Sequence, residues 1–314
     1  RTSGLIIAYA RVKSSSPLHG RAGFRRKKIA LLNRVDRFTL FAMSVPTFIL
    51  YAFLYLYPAL NNLRYSTTRW DGIVEPEFVG LRNFSNLMTN DDLFFKVFGN
   101  NIRFTLLVVI FQTGFSFLFA TLLLKNTRGN ILLRTLYFFP TILSSVSVAM
   151  IWLFLYDPNW GAINLFFTKI GLDSFALNWL GSEAVALYAI VFTQVWFHTG
   201  QMMVIYIAGL QQIPAELYEA AEVDGASRWQ QFISVTWPMA LPTTAVVIAY
   251  TTIQSFRAFD LIYTMTLGGP NNTTNIFSTL IYLTAFNEFR FGLRCRTNYL
   301  YGSYDSFFNL IHDA

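Results

Sequence analysis

Charged residues and cysteine are both scarce in this chain of 314 residues. Asp, Glu, Lys and Arg make up only 13% of it, whereas soluble globular domains carry about 25%. Hydrophobic residues reach 54%, and the mean hydropathy is +0.41. The single cysteine, Cys295, excludes an intrachain disulfide and a cysteine-based metal cluster. The composition therefore indicates a polytopic membrane protein whose apolar surface faces lipid.

The sequence also lacks the residue groupings that membrane enzymes and nucleotide hydrolases need. It contains no Gly-rich phosphate loop ending in Lys-Ser or Lys-Thr, so we expect this chain itself not to hydrolyse ATP. No clustered nucleophile, set of metal ligands or pair of carboxylates falls at membrane depth. An integral membrane enzyme is the alternative that the sequence disfavours most. We predict no catalytic residue, no metal site and no cofactor in this chain.

The net charge of +7 is concentrated in residues 1–37. Against the single acid Asp36, this segment carries the bases Arg1, Arg11, Lys13, Arg21, Arg25, Arg26, Lys27, Lys28, Arg34 and Arg37. We interpret it as a cytoplasmic tail that fixes topology and touches anionic lipid headgroups. A nucleic-acid-binding arm is the alternative. Nothing downstream supports that alternative, so we expect membrane lipid and no nucleic acid as a partner.

Crossing the hydrocarbon core as a helix takes about 20 predominantly apolar residues. Five segments meet this requirement and are predicted spans: Phe38–Leu60, Ile102–Leu124, Thr135–Tyr156, Val185–Leu210 and Met239–Phe259. The predicted fold class is an all-α helical membrane bundle.

The loops between these spans predict the orientation. Residues 125–134 contain three bases and no acid, which favours the cytoplasmic side. Residues 61–101 balance bases with acids, and residues 157–184 contain one base, Lys169, so both fit the outside. The N-terminus and the loop 211–238 are then cytoplasmic.

The loop 211–238 is acidic, which is unusual for a cytoplasmic loop. Pro214 suits a helix start, and the Ala- and Glu-rich stretch Ala215–Val223 predicts a short helix. Asp224-Gly225 predicts a left-handed cap, followed by a second helix from Ser227 to Trp237 that ends at Pro238. Because Ala220, Ala221 and Gly225 leave the backbone bare, we interpret the loop as a docking site for another protein. An amphipathic helix on the inner membrane surface is the alternative, but such helices are usually basic.

The spacing in this loop resembles a known family. Glu219-Ala220-Ala221, then Gly225, then Val235, Trp237 and Pro238 match the EAA motif of permease subunits of bacterial ATP-driven, binding-protein-dependent importers, with Val and Trp in place of Ile and Leu. The resemblance implies the MetI-like bundle of type I ABC importers. It also implies that Glu219, Ala220, Ala221, Asp224, Gly225 and Pro238 couple the chain to cytoplasmic ATP-binding subunits, which bind ATP and Mg.

Further stretches resemble the sugar-importer branch of this family, which transports maltose-type sugars, oligosaccharides and glycerol phosphate. They are Pro58-Ala59-Leu60, the run from Phe78 to Phe84, and the Gly-Gly-Pro stretch from Leu267 to Thr274. The resemblance implies a sugar or oligosaccharide substrate, a second and usually different permease subunit, and an extracellular or periplasmic solute-binding protein. A permease for a non-sugar solute, such as phosphate or a peptide, stays open.

Polar side chains inside two predicted spans mark a candidate substrate path, because polar groups at membrane depth usually face protein or water. Their spacing puts each set on one helix face, with Phe197 and Phe256 beside them. The candidates, which the resemblance also implies by position, are Gln194, Phe197, His198, Gln201, Thr251, Gln254 and Ser255. Bonds that merely bridge helices are an equal alternative. In a permease pair, either subunit can hold the substrate alone. Arg257 is either a cation in the path or a side chain that snorkels to the outer surface, and we favour the second.

The predicted organisation is a basic tail over 1–37, a transmembrane permease domain over 38–292 that contains the coupling loop 211–238, and an atypical tail over 293–314. The family ends with a sixth span, but this tail is too polar to cross lipid unaided. We therefore expect five clear spans and a disrupted sixth, as a frameshift or truncation would produce. We also expect a multi-pass protein of the bacterial cytoplasmic (inner) membrane with its N-terminus inside.

Overall fold

The computed structural model of the chain describes residues 38–70 and 75–286. The chain divides into two units, residues 1–61 and 62–314. The predicted basic tail and the predicted atypical tail lie outside the described residues, and so does the end of any sixth span.

Helix α1, Phe38–Ser66, begins in the first unit and widens into a π-helical turn at Ala52–Leu56. Its most apolar stretch has a mean hydropathy of 1.7, and none of that stretch is buried within this chain. Such a surface requires lipid or another protein around it. The first predicted span is therefore confirmed as one long apolar helix.

The described part of the second unit is almost entirely helical. A two-stranded antiparallel ribbon pairs β1, Thr68–Arg69, with β2, Glu77–Phe78. Asn83 joins this ribbon to the following helix, because its Nδ2 donates to the carbonyls of Ser66 (3.0 Å) and Thr68 (2.9 Å). The helices that follow are α2 (Arg82–Thr89), α3 (Asp92–Leu122), α4 (Arg128–Phe138), α5 (Ser145–Leu155), α6 (Ala162–Lys169), α7 (Ala186–Leu210), α8 (Ala215–Val223), α9 (Arg228–Phe256), α10 (Asp260–Thr266) and α11 (Phe277–Phe286).

Helix α7 lies at the centre of the unit, against α3, α4 and α9. One buried cluster joins α3, α5, α7 and α10 around Phe104, Val148, Ile190 and Ile262. A second cluster joins α3, α7 and α9 near the opposite end of α7 and includes the fully buried Met202 and Tyr206. These two buried clusters hold the polar faces of α7 and α9 side by side.

A glycine sets the distance between α7 and the end of α4. A Cβ atom built on Gly200 would lie 1.9 Å from the carbonyl oxygen of Tyr137. No side chain larger than hydrogen fits there, so Gly200 allows the two backbones into direct contact.

Within residues 38–70 and 75–286, three helices are long and apolar enough to cross a membrane, α1, α3 and α9, and the bent pair of α4 and α5 makes a fourth if it counts as one span. Helix α7 has 25 residues, about 38 Å at 1.5 Å per residue, but its polar side chains lower its mean hydropathy. The all-α class is confirmed, and the count of five spans stays a prediction. Helix α3 begins ten residues before the predicted Ile102, because Asp91 caps it by accepting a hydrogen bond from the Phe94 backbone N–H (2.9 Å).

The predicted span Thr135–Tyr156 is not one continuous helix, and its place as a membrane span stays a prediction. Helix α4 continues into a 3-10 turn, Phe139–Ile142, that contains Pro140, and this arm makes an angle of 101° with α5. The break between the two arms lies at Leu143 and Ser144, whose backbones are extended. Ser144 then caps α5 by accepting from the Ser147 backbone N–H (3.3 Å).

Candidate functional site: an acidic elbow and a polar cavity

The predicted helix Ala215–Val223 is confirmed as α8, with Pro214 as its N-cap. It ends in a left-handed cap at Gly225, where φ is +76°. The Ala226 N–H donates to the Ala221 carbonyl (2.9 Å), and the Gly225 N–H donates to the Glu222 carbonyl (3.0 Å). These two bonds form a Schellman motif, so the turn that the sequence predicted is present.

Helix α9 begins directly after this turn with a reciprocal cap. Ser227 Oγ accepts from the Gln230 N–H (3.4 Å), and Gln230 Oε1 accepts from the Ser227 N–H (2.7 Å). Gln231 Nε2 also donates to the Ala226 carbonyl (3.1 Å). The elbow between α8 and α9 is therefore fixed by local hydrogen bonds on both sides of Gly225.

The prediction that the second helix ends at Pro238 is wrong. A π-helical turn at Phe232–Thr236 precedes Pro238, and the helix continues to Phe256. In this turn the Trp237 N–H bonds to the carbonyl of Phe232, five residues back. The wider turn makes room for the proline ring, which in a regular helix clashes with the carbonyl four residues back. The elbow is thus the end of the same helix that crosses the bundle.

The predicted coupling residues form an exposed surface. Glu219, Ala220, Asp224, Gly225 and Pro238 are exposed, and Ala221 is half-buried. The side chains of Glu219, Glu222 and Asp224 make no hydrogen bond or ion pair to any of the described residues. Sequence reasoning missed two large apolar side chains on the same elbow, Val223 (89% exposed) and Trp229 (68% exposed). Exposed apolar groups beside free acids make a surface that a basic, partly apolar partner can cover.

Aromatic rings connect the elbow to the rest of the bundle. Phe117 of α3 contacts Phe232 (5.9 Å between ring centroids), Trp237 (5.5 Å) and Tyr206 of α7 (5.3 Å). Trp229 stacks on Phe232 (5.5 Å). A movement of the elbow would therefore be transmitted to α3 and α7 through these packed rings.

A cavity of about 320 Å³ lies between α7, the C-terminal part of α9 and the start of α10. Four of the seven predicted path residues line it: Gln194, Phe197, His198 and Gln254. The other lining residues are Ser145, Tyr250, Ile253, Arg257, Ala258, Phe259, Asp260 and Leu261. The structure thus brings the polar faces of the fourth and fifth predicted spans together around one space.

Three predicted path residues are not in the lining. Thr251 and Ser255 are buried between helices, where Ser255 Oγ donates to the Thr251 carbonyl (2.8 Å). Thr251 Oγ1 also accepts from Gln112 Nε2 of α3 (3.4 Å), which is a polar contact between packed helices. Gln201 Nε2 donates to Tyr250 Oη (3.1 Å), so it touches the lining through Tyr250.

The lining combines hydrogen-bonding groups with aromatic faces. His198 and Phe197 are adjacent rings, 4.1 Å between centroids, and His198 Nδ1 lies 3.3 Å from the Gln194 carbonyl. Phe256, which was expected beside the path, is absent from the lining, and Phe259 takes that place. Amides and hydroxyls bind ligand hydroxyls, while rings cover the C–H faces of a sugar.

Arg257 and Asp260 add an exposed charge of each sign to the lining. The structure places Arg257 in the cavity lining, and its role as a path cation or as a snorkelling side chain is untested. Asp260 was missed because it follows the predicted span. Tyr250 was missed although it lies four residues before Gln254 on the same helix face, a spacing that would have found it.

The Gly-Gly-Pro stretch forms a tight turn between α10 and α11. Leu267, Gly268, Asn271 and Asn272 have positive φ, and the Gly269-Pro270 peptide is cis. Asn100 of α3 stabilises this turn: its Nδ2 donates to the carbonyls of Asn272 (2.8 Å) and Asn275 (3.1 Å). Lys96 Nζ donates to the Asn271 carbonyl (2.6 Å). Within residues 38–70 and 75–286, no group of three or more His, Cys, Asp or Glu is arranged to hold a metal ion.

Comparisons with known proteins agree on one family. A model described as binding-protein-dependent transport system inner membrane component matches residues 112–290. A trehalose/maltose transport system permease protein of Thermococcus litoralis is 35% identical over 220 residues, which cover 70% of this chain and 72% of that protein. A diacetylchitobiose uptake system permease protein of Streptomyces coelicolor is 32% identical over 284 residues, covering 87% of this chain and 80% of that protein.

A solved structure has the same fold. One chain of a bacterial alginate ABC transporter, in complex with an alginate pentasaccharide-bound periplasmic protein, superposes with a TM-score of 0.75. The superposition covers 90% of this chain and 95% of that chain at 23% identity. At this identity the likeness concerns the arrangement of helices alone.

Proposed function

The chain belongs to the family of binding-protein-dependent transport system inner membrane components, and from this premise we propose that it is the permease subunit of an ATP-driven importer that translocates a sugar or oligosaccharide. The observation that carries the proposal is the cavity between α7 and α9, where amides, two hydroxyls and an imidazole lie beside aromatic rings. The named substrates of two relatives, trehalose/maltose and diacetylchitobiose, are both sugars and support it.

The sugar assignment is tested by uptake into proteoliposomes that contain the chain with its partner subunits. The panel is maltose, trehalose, diacetylchitobiose, inorganic phosphate and a tripeptide. We expect uptake of at least one sugar and of neither other solute. Phosphate or peptide uptake without sugar uptake would support a permease for a non-sugar solute, which the exposed guanidinium of Arg257 on the cavity makes worth testing.

The residues of the path are tested by replacing two lining side chains together, His198→Leu with Gln254→Leu. Both lose polar groups that face the cavity, so we expect sugar uptake to fall at least tenfold, the effect of losing about 1.4 kcal/mol of binding. The matched control is Thr252→Val, because Thr252 is on the same helix and only bonds back to the Ile248 carbonyl (2.8 Å). Uptake that survives the double replacement with unchanged substrate preference would refute this path.

We also propose that the elbow of α8 and α9 docks into a cytoplasmic ATP-binding subunit, which holds ATP and Mg and performs hydrolysis. The free acids Glu219 and Glu222, with the exposed Val223 and Trp229, support a docking role. Since the elbow is continuous with α9, a push on it reaches a helix that lines the cavity. Alternating access then follows as a rigid helix moving between two discrete positions.

Docking is tested with a cross-linking cysteine in place of Ala221, in a Cys295→Ser background. We expect capture of the ATP-binding subunit from the cytoplasmic side. Charge reversal, Glu219→Lys with Glu222→Lys, is expected to weaken the association, whereas Glu183→Lys in a predicted outside loop is the control. Capture only by reagents added from outside would contradict the proposed topology, in which the N-terminus and the elbow are both cytoplasmic.

The remaining features of the proposed assembly concern its composition. We propose a hetero-dimer with a second permease subunit and an extracellular or periplasmic solute-binding protein that delivers the substrate. The long exposed apolar helix α1 and the exposed apolar faces of α3 support a membrane environment shared with another subunit. Co-purification followed by identification of the bound chains tests both partners, and a stable assembly of identical permease chains would contradict the hetero-dimer.

A further inference from the structure

Gln112 is a buried carboxamide in α3, and its side chain makes no hydrogen bond within that helix. The side chain is fully buried, and Val108, Phe111 and Phe115 close to it in sequence are apolar. An amide at membrane depth costs several kcal/mol unless it finds a hydrogen-bond partner. Its partners therefore identify the reason for its presence.

The amide group of Gln112 points at the helix that lines the cavity. Its Nε2 donates to Gln254 Oε1 (3.3 Å) and to Thr251 Oγ1 (3.4 Å). Its Oε1 is buried and has no hydrogen-bond partner among the described residues. Gln112 is thus tied to α9 by its nitrogen, although its oxygen stays unsatisfied.

The bond to Gln254 has a consequence for the cavity. Gln254 lines the cavity, and its oxygen is occupied by Gln112. One lone pair of that oxygen is engaged, whereas the NH₂ of Gln254, with two donors, makes no hydrogen bond to any described residue. A freely rotating Gln254 would present its oxygen and its nitrogen about equally, because the terminal torsion of glutamine has two broad, similar states.

We propose that Gln112 is a positioning residue for the substrate cavity: it holds the Gln254 carboxamide so that its NH₂ faces the ligand. The cavity then offers a fixed donor at this point, which selects a substrate atom that accepts a hydrogen bond. In a sugar that atom is a hydroxyl, ring or glycosidic oxygen. This inference rests on the proposed sugar-transport function. It adds to that function that Gln254 acts as a hydrogen-bond donor to the substrate.

The test replaces Gln112 by Met, which keeps the volume but removes the amide, in the assembled importer in proteoliposomes. The probe is the sugar of the panel that the wild-type importer takes up fastest, together with a deoxy analogue at each hydroxyl. We expect the KM for the parent sugar to rise about tenfold, with a much smaller change in maximal rate. We also expect preference against one deoxy analogue to be lost.

A double replacement separates positioning from a purely structural role. If Gln112 acts through Gln254, then Gln112→Met adds nothing to KM in a Gln254→Met background. Ser116→Ala is the matched control, because Ser116 is buried one turn along α3 and bonds to the Thr199 carbonyl (2.9 Å) away from the cavity. It is expected to lower the thermal midpoint without changing substrate preference.

The outcomes are distinct. No uptake of any sugar by the wild-type importer would overturn the proposed function and this inference with it. Sugar uptake with an unchanged KM in Gln112→Met, or an equal KM effect in both backgrounds, would overturn this inference alone. If Gln112→Met does not assemble, the Gln254→Met variant is measured in its place. The proposal requires Gln254→Met to lose the preference for the parent sugar over one deoxy analogue, and a retained preference would overturn it.

Discussion

Tyr218 Oη lies 3.0 Å from Thr236 Oγ1, so one hydrogen bond closes the elbow between α8 and α9. Tyr218 belongs to the helix that carries the exposed acids, and Thr236 belongs to the π-helical turn through which α9 enters the bundle. The bond joins the proposed docking surface to the proposed lever. Both side chains are half-buried, which shields the bond from water.

Removing this bond is expected to loosen the connection without removing the docking surface. In Tyr218→Phe, we expect sugar-stimulated ATP hydrolysis to fall about threefold to tenfold, since a partly buried hydrogen bond contributes about 1 kcal/mol. Association with the ATP-binding subunit should stay unchanged. The measurement is ATPase activity with and without sugar, and Thr236→Val should give the same result. A larger loss in the double variant than in either single variant would show that the two side chains act separately.

We predict that glycine is required at position 225 because of its backbone conformation, and not because a side chain would clash with a neighbour. Its φ is +76°, and a Cβ added to it would meet no atom within 4 Å. Gly225→Ala is therefore expected to cost about 1 kcal/mol of elbow stability, because L-residues pay that amount in the left-handed region. Gly225→Asn should cost less, since Asn tolerates this region. ATPase coupling and the thermal midpoint measure the effect, and equal behaviour of the Ala and Asn variants would contradict the explanation.

Gly200 is the opposite case, because the lack of room for a side chain requires glycine there. A Cβ there would overlap the Tyr137 carbonyl oxygen, so Gly200→Ala must push α7 and α4 apart. We expect a destabilisation of more than 3 kcal/mol and poor assembly, beyond the usual cost of overpacking. Gly114→Ala is the control, because Gly114 lies in α3 and its Cβ would meet no atom within 4 Å. That control should be neutral or stabilising by up to about 1 kcal/mol, as measured by thermal unfolding in detergent.

The turn at Gly269-Pro270 is predicted to depend on Asn100 more than on Lys96. Asn100→Leu leaves the Asn272 and Asn275 carbonyls without this donor in a buried place, at a cost of about 2 to 3 kcal/mol. Lys96→Met removes one exposed bond and should cost less than about 1 kcal/mol. Hydrogen exchange over residues 271–279 measures the loosening. Equal exchange in the two variants would contradict the ranking.

Local features of the elbow were predictable from the sequence because they depend on neighbours within a few residues. Pro214, the Ala- and Glu-rich run and Gly225 specify a helix and its cap by backbone geometry alone. Pro238 misled the prediction for the same reason: a local rule ends a helix at proline, but the π-helical turn before it absorbs the ring. The polar residues of α7 and α9 were also recognisable, since polar groups are rare in apolar spans.

What the sequence determined by itself is the class of molecule: an apolar, helical chain with an acidic elbow, whose motif spacing resembles that of importer permeases. Only the tertiary structure decided which polar side chains share a space. Gln112 and Gln254 are 142 residues apart, and the two hydrogen bonds of Asn100 span 172 and 175 residues. Helix faces follow from periodicity, whereas the partner of each face follows from how all the helices pack together. That packing depends on close contacts such as the one at Gly200, which no local pattern encodes.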